Sequence, residues 1–256
     1  MQLDLTSVKR VVIKIGSSVL ADSKGLKKDF FRTLVTQIDF LLTQQKEIVI
    51  VSSGAVAAAI GELAAARPER IPEKQAFAAL GQPLLMHHYI AAFAKKKRRV
   101  AQILLTYPDL ENRARFLNAK HAFAELLARG IIPIVNENDS VAIDELKFGD
   151  NDRLSAHVAE LVGADLLIIL SHVDGLYDSD PEKNPKAKLI TSVTDKKAAQ
   201  RLVFANKNHL GTGGMATKLA AAEFCAERKI SVFITNGNKK DFLKNIFTAK
   251  ARGTWV

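Results

Sequence analysis

Six short runs of Val, Ile and Leu punctuate the chain: VVIKI at 11–15, IVIV at 48–51, VAQILL at 100–105, IIPIV at 131–135, LLIIL at 166–170 and ISVFI at 230–234. They are nearly continuous in apolar residues rather than alternating, the pattern of strands covered on both faces. Between them lie segments with helical spacing: Asp29 to Gln45, Ala55 to Ala66, Pro72 to Ala94, Arg113 to Arg129, Asp152 to Gly163, and Thr217 to Arg228. Strands alternating with helices predict an α/β fold with a mainly parallel central sheet. No Pro/Ser-rich linker and no repeat of fixed period interrupts the pattern, so residues 1–256 read as one domain. Ser140 to Lys147 and the tract DSDPEKNPKAK read as a hairpin-like and a loop insertion.

Ligands of such sheets bind beyond the carboxyl ends of the strands. The residues just after each apolar run are therefore informative. Gly16-Ser17-Ser18 succeeds the first run and Ser52-Ser53-Gly54-Ala55 the second. Asn136-Glu137-Asn138-Asp139 comes after IIPIV, Ser171-His172-Val173-Asp174-Gly175 after LLIIL, and Thr235-Asn236-Gly237 after ISVFI. Small, polar and glycine-rich loops thus gather on one edge, as a binding face requires.

Lys14 stands inside the first apolar run. A lysine in a buried strand loses hydration that only an opposite charge restores, so it calls for an anion. Gly16 and Gly54 let backbone amides approach such an anion closely, although a lone glycine commonly does no more than make a turn. Gly54 also precedes a helix, whose N-terminus offers free N–H groups and a positive dipole end.

A further glycine cluster, GTGGMATK, runs from Gly211 to Lys218 at a helix start. It is no dinucleotide fingerprint, because no apolar strand precedes it. Nor is it a Walker loop, because Thr217 replaces the glycine before the lysine. It still describes an anion cradle, with Lys218 as a second cation. In FGDNDRLSA, Asp150 and Asp152 flank Asn151 at another helix start. Capping accounts for one carboxylate; holding two converging lysines suits Asp152.

Composition narrows the setting. The chain of 256 residues carries a formal net charge of +10 and one cysteine, Cys225. A lone cysteine forms no internal disulfide, which points to a reducing cytoplasm and a small buried hydrophobe. AFAALGQPLLMHHYIAAFA is interrupted by Gln82, Pro83, His87 and His88, so no membrane span is expected. Its Phe77, Met86 and Phe93 belong to the core or a subunit interface. The basic run Lys95 to Arg99 ends a helical segment without interleaved aromatics, which argues against nucleic acid. His87, His88, His121, His157 and His209 show no metal-ligand spacing, so no protein metal site is expected.

Two lysines on glycine loops, organised by a carboxylate, suit phosphoryl transfer, whose catalysis is positioning plus electrostatic stabilisation. No histidine or carboxylate stands out as general base, and a carboxylate acceptor, already ionised, needs none.

VVIKIGSSVL, IVIVSSGAV, IIPIVNENDSV, FGDNDRLSA, DGLYDSDP and GTGGMATK, in this order, resemble the amino acid kinase family, from about residue 10 to the terminal GTWV. The resemblance implies a three-layer α/β/α sandwich that phosphorylates the γ-carboxylate of L-glutamate with ATP and Mg2+, the first step of proline synthesis. It implies proline feedback and a homo-oligomer, a dimer or tetramer. It makes Lys14 and Lys218 the lysines that stabilise the transferring group and Asp152 their organiser. Ser53, Asp139 and Asn151 become glutamate contacts, with Asp139 pairing the α-ammonium. Lys14, Gly16, Ser171, His172, Thr212, Gly213, Gly214, Met215, Ala216, Thr217 and Lys218 become ATP contacts. Members usually show Thr-Asp where this chain has Ser171-His172. Many also carry a C-terminal PUA domain, whereas this sequence is expected to be the catalytic domain alone. A sister kinase acting on aspartate, acetylglutamate, carbamate or a nucleoside monophosphate stays open, as does a non-catalytic RNA-binding role for the basic surface.

Overall fold

The computed structural model describes residues 4–142, 151–179, 181, 183–193 and 215–256. The strands are β1 (Arg10–Ile15), β2 (Ala21–Asp22), β3 (Gly25–Leu26), β4 (Glu47–Ser52), β5 (Arg99–Leu105), β6 (Ile131–Glu137), β7 (Leu166–Ser171), β8 (Leu176–Tyr177), β9 (Leu189–Ile190), β10 (Ser231–Asn236) and β11 (Gly253–Trp255). The helices are α1 (Ser17–Leu20), α2 (Lys28–Thr43), α3 (Ala55–Leu63), α4 (Ile71–Ala94), α5 (Tyr107–Glu111), α6 (Arg113–Ala128), α7 (Asp152–Val162), α8 (Met215–Ala226) and α9 (Phe242–Phe247). All six apolar runs are strands of one seven-stranded sheet in the order β11-β10-β7-β1-β4-β6-β5. Every pairing in it is parallel except β10 with β11.

Because side chains alternate across a strand, each apolar run feeds two cores. Ile13, Ile15, Ile50, Ile134 and Ile168 pack with Leu34, Ile38, Leu85, Tyr89 and Phe93 of α2 and α4. Val12, Val49, Val51, Leu167, Ile169 and Val232 pack with Leu154, Val158 and Leu161 of α7 and with Leu219, Ala222 and Cys225 of α8. Lys14, two residues beyond Val12, therefore points to the α7–α8 side at the carboxyl rim of the sheet.

Several strands run further than the apolar pattern predicts. Asn136 and Glu137 read as loop from the sequence, yet they pair with Leu104 and Leu105. Ser171 and Asn236 pair with each other at the ends of β7 and β10. The ladder is made by backbone groups, so polar side chains do not end it while a neighbouring strand continues. The tract DSDPEKNPKAK bridges the β8–β9 hairpin, where Asp178 Oδ1 accepts from Lys188 N at 2.9 Å. Of the Ser140 to Lys147 insertion, residues 143–147 lie outside the described ones; the amides of Val141 and Ala142 fold back onto Asn138 O.

Helix α4 lies along α3, and Gly81 makes this possible. A Cβ there would stand 1.8 Å from Ala55 O, so only glycine lets α4 touch the first turn of α3. At the far end of α4, Asp39 of α2 draws Arg98 to 2.9 Å and Lys96 to 3.8 Å, so the basic run is partly neutralised. Met86 and Phe93 are buried, Phe77 half-buried. Burial pushes the Cys225 thiol up to about 12, the behaviour of an inert core residue. Among the described residues no helix is long and apolar enough to cross a membrane.

Candidate active site

In the strand order, β1 lies between β4, the next strand of this sheet along the chain, and β7, reached after the chain has built the opposite half of the sheet. A crevice forms beyond the strand ends where the order reverses in this way. Gly16 lies there, its amide donating to Leu170 O at 3.3 Å, and a Cβ on it would approach Lys14 Nζ to 3.8 Å.

Lys14 finds its carboxylate at the start of α7. Its Nζ lies 2.6 Å from Asp152 Oδ1, and the two side chains are 3% and 0% exposed. Lys218, in the first turn of α8, reaches Asp152 Oδ2 at 3.0 Å. Thr217 Oγ1 donates to the same oxygen at 3.1 Å. Asp152 is thus the first residue of α7 but no N-cap; it joins two lysines from different elements. Asp150 lies outside the described residues.

A buried chain of amides supports the second half of the site. Asn151 Nδ2 donates to Ser52 O at 3.0 Å, Ser53 Oγ at 3.3 Å and Asn136 Oδ1 at 2.8 Å. Asn136 Nδ2 donates to Gln82 Oε1 at 3.0 Å, which ties the cluster to α4. Ser52 Oγ and Tyr89 OH lie 2.8 Å apart, and burial raises the Tyr89 phenol above its ordinary range, so it keeps its proton. Asn151 Oδ1 has no hydrogen-bond partner among the described residues and stays an open acceptor.

Asp139 is 6% exposed, and its Oδ1 also lacks a partner among the described residues. Burial, and then the Glu137 carboxylate, push its carboxyl up to about 7. A buried acid beside a second acid is stabilised in its charged form by a cation. Asp139 lines a cavity of about 620 Å³ together with Ser53, Gly54, Arg67 and Lys74. Gly54 adopts φ 109°, a conformation suited to glycine, and opens α3 without a side-chain cap.

The other expected contacts divide. Ser171 is buried at the end of β7 and His172 exposed beyond it. Asn236 Nδ2 holds that loop, donating to His172 O at 2.9 Å and Asp174 Oδ1 at 3.0 Å. Met215, Ala216, Thr217 and Lys218 form the half-buried first turn of α8, whereas Thr212, Gly213 and Gly214 lie outside the described residues. His209 lies outside them as well. Among the described residues no group of three His, Cys, Asp or Glu could hold a metal ion. Asp152 is engaged by ammonium groups, so among the described residues the side chains make no magnesium cage.

Sequence reasoning missed Glu137 as the neighbour that perturbs Asp139, and Asn136, Gln82 and Tyr89 as supports. The signal lay in NEND and in a glutamine within an apolar helix. A polar residue at such a position requires a partner when buried.

A family model described as the amino acid kinase family matches residues 9–236. The glutamate 5-kinase of Clostridium acetobutylicum is 48% identical over 254 residues, covering 98% of this chain and 95% of its own. That of Geobacter metallireducens is 47% identical over 98% of this chain and 68% of its own. The glutamate 5-kinase of Thermus thermophilus is 46% identical over 97% and 67%. Among solved structures, UMP kinase from Ureaplasma parvum superposes with TM-score 0.64 at 20% identity, covering 97% of this chain and 98% of its own. An isopentenyl phosphate kinase superposes with TM-score 0.65 at 18% identity, covering 96% and 100%. Those two likenesses concern the fold.

Proposed function

The chain belongs to the amino acid kinase family, and from that premise we propose how its site transfers a phosphoryl group from ATP to the γ-carboxylate of L-glutamate. The product, L-glutamyl 5-phosphate, opens proline biosynthesis. The observation that carries the mechanism is Asp152 joined to both Lys14 and Lys218.

The acceptor carboxylate is ionised at neutral pH and attacks without a general base. As the γ-phosphoryl moves, charge spreads over its equatorial oxygens, and ammonium groups fixed in advance stabilise it. Lys14 and Lys218 supply that charge. Asp152 holds them together against their mutual repulsion, and Thr217 fixes the carboxylate in turn. Gly16 leaves room for phosphate beside Lys14. Ser171, His172 and residues 212–218 are the nucleotide contacts of this reading.

At the other end of the acceptor, Asp139 takes the α-ammonium. Its open Oδ1, its burial and its neighbour Glu137 all favour a cation there. Asn151 Oδ1 is a further acceptor, and Ser53 is held by Asn151. Magnesium comes with the nucleotide, whose phosphate oxygens supply ligands that the side chains do not; when bound, it neutralises phosphate charge.

Residues 1–256 form one catalytic domain around the single large sheet, acting in the cytoplasm. A second copy covers the apolar positions that α4 exposes, with Leu80 43% and Ile90 53% exposed. Proline, which shares the charged groups on the α-carbon, acts as feedback ligand.

The test is ATP turnover with a panel of acceptors, trapping acyl phosphate with hydroxylamine. L-Glutamate should yield hydroxamate. N-Acetylglutamate, which has lost the ammonium, should not, and neither should aspartate or UMP. Comparable turnover of N-acetylglutamate would sink the assignment of Asp139.

A further inference from the structure

We propose that Lys74 binds the α-carboxylate of the acceptor amino acid and thereby selects substrates that carry one; this rests on the glutamate reading of the site.

L-Glutamate brings three charges into the site. The γ-carboxylate faces the phosphoryl group that the lysines on Asp152 stabilise, and Asp139 receives the α-ammonium. The α-carboxylate sits on the same carbon as the ammonium, so it must enter close to Asp139 and Glu137. Without a cation of its own it would face like charges in a place with little water.

Among the described residues, two cationic side chains line the cavity that holds Asp139: Arg67 and Lys74. Arg67 is exposed on the connection before α4, whereas Lys74 is half-buried in the opening turns of α4. Lys74 makes no ion pair among the described residues, while its neighbours Arg70 and Glu73 are engaged with each other. The nearby Arg70 is thus spent on Glu73, and Lys74 is left for the cavity.

Its position is fixed from several sides. Pro72 and Glu73, whose carboxylate accepts from the Arg70 backbone amide and guanidinium, set the first turn of α4. Gln75 Nε2 donates to Ser140 O at 3.5 Å, which ties the turn carrying Lys74 to the loop carrying Asp139. Farther along, Gly81 holds α4 against Ala55. The start of α3 lines the same cavity through Ala55 and Val56, and no side chain caps that helix. Free amides there supply hydrogen bonds, and Lys74 supplies the charge. An α-carboxylate between them completes the set of partners for one amino acid.

Steady-state kinetics of Lys74→Met and Lys74→Arg test this, with L-glutamate as substrate and 4-aminobutanoate, which is glutamate without its α-carboxylate, as competitor. Lys74→Met should raise the KM for L-glutamate about 10- to 100-fold, the scale of a lost charge-assisted hydrogen bond. It should leave kcat within about threefold, the KM for ATP unchanged and the Ki of 4-aminobutanoate unchanged. Lys74→Arg should recover most of the glutamate affinity. If Lys74→Met weakens glutamate and 4-aminobutanoate equally, the lysine is merely structural and the proposal falls. An unchanged KM for glutamate with normal turnover overturns the assignment of Lys74 alone. A wild-type enzyme that releases no ADP with L-glutamate overturns the substrate reading beneath it.

Discussion

Lys14 Nζ and Asp152 Oδ1 stand 2.6 Å apart with both side chains almost wholly buried, and the other oxygen of the same carboxylate holds Lys218. A buried ion pair by itself is weak evidence of stabilisation, because desolvation offsets most of the attraction. A carboxylate that joins lysines from two different elements at the rim of the sheet is better explained by a shared task than by stability alone.

Lys14→Met and Lys218→Met should therefore stay folded, since each leaves one cation on Asp152, while single-turnover rates fall roughly 10²-fold or more. Asp152→Asn should lose rate and also stability, by about 3–5 kcal/mol, because it removes the carboxylate that both lysines contact. Thermal midpoint and rapid-quench turnover separate the two effects. Folded lysine variants with near-normal rates would refute the electrostatic role.

If Asp139 takes the α-ammonium as proposed, its raised carboxyl should make glutamate binding depend on pH. Below about 7 the carboxyl binds a proton and no longer attracts the α-ammonium, so the KM for L-glutamate should climb about tenfold from pH 8 to pH 6 with little change in kcat. Asp139→Asn should have a high KM that no longer tracks pH. Stability supplies an independent check. Between about pH 4 and 7 the folded state keeps a proton that the unfolded chain has released, so this group lowers stability as pH rises through that window. Asp139→Asn should thus raise the thermal midpoint at about pH 8 but not at about pH 4. A flat KM profile for the wild type between about pH 6 and 8 would contradict the ammonium assignment.

Gly81→Ala tests the coupling of α4 to the Ser53-Gly54-Ala55 loop. By helix propensity alone, alanine would add about 1 kcal/mol. The close approach to Ala55 O predicts the reverse: a lower midpoint and a raised KM for glutamate, as α4 is pushed off the start of α3. A stabilised variant with unaltered kinetics would show that this contact does not position the site.

The six parallel strands, the six longer helices and the edge at which chemistry gathers are legible along the chain, whereas the antiparallel strand β11 and the short helices are not. Burial on both faces of a parallel sheet writes itself into unbroken apolar runs, and a lysine inside such a run must meet an anion. The same local signal predicts a loop at Asn136-Glu137, where backbone pairing with β5 prolongs the strand whatever the side chains are. The partners of each polar group come only from the fold. That Asn151 bonds Ser53, that Gln82 supports Asn136, and that Lys74 shares a cavity with Asp139 depend on which helices pack against which faces. Hydrophobic burial has a period of a few residues and can be read in order. Electrostatic partnership depends on distance in space, and so does the shift of a carboxyl such as Asp139, which exists only once folding has removed its water and set Glu137 beside it.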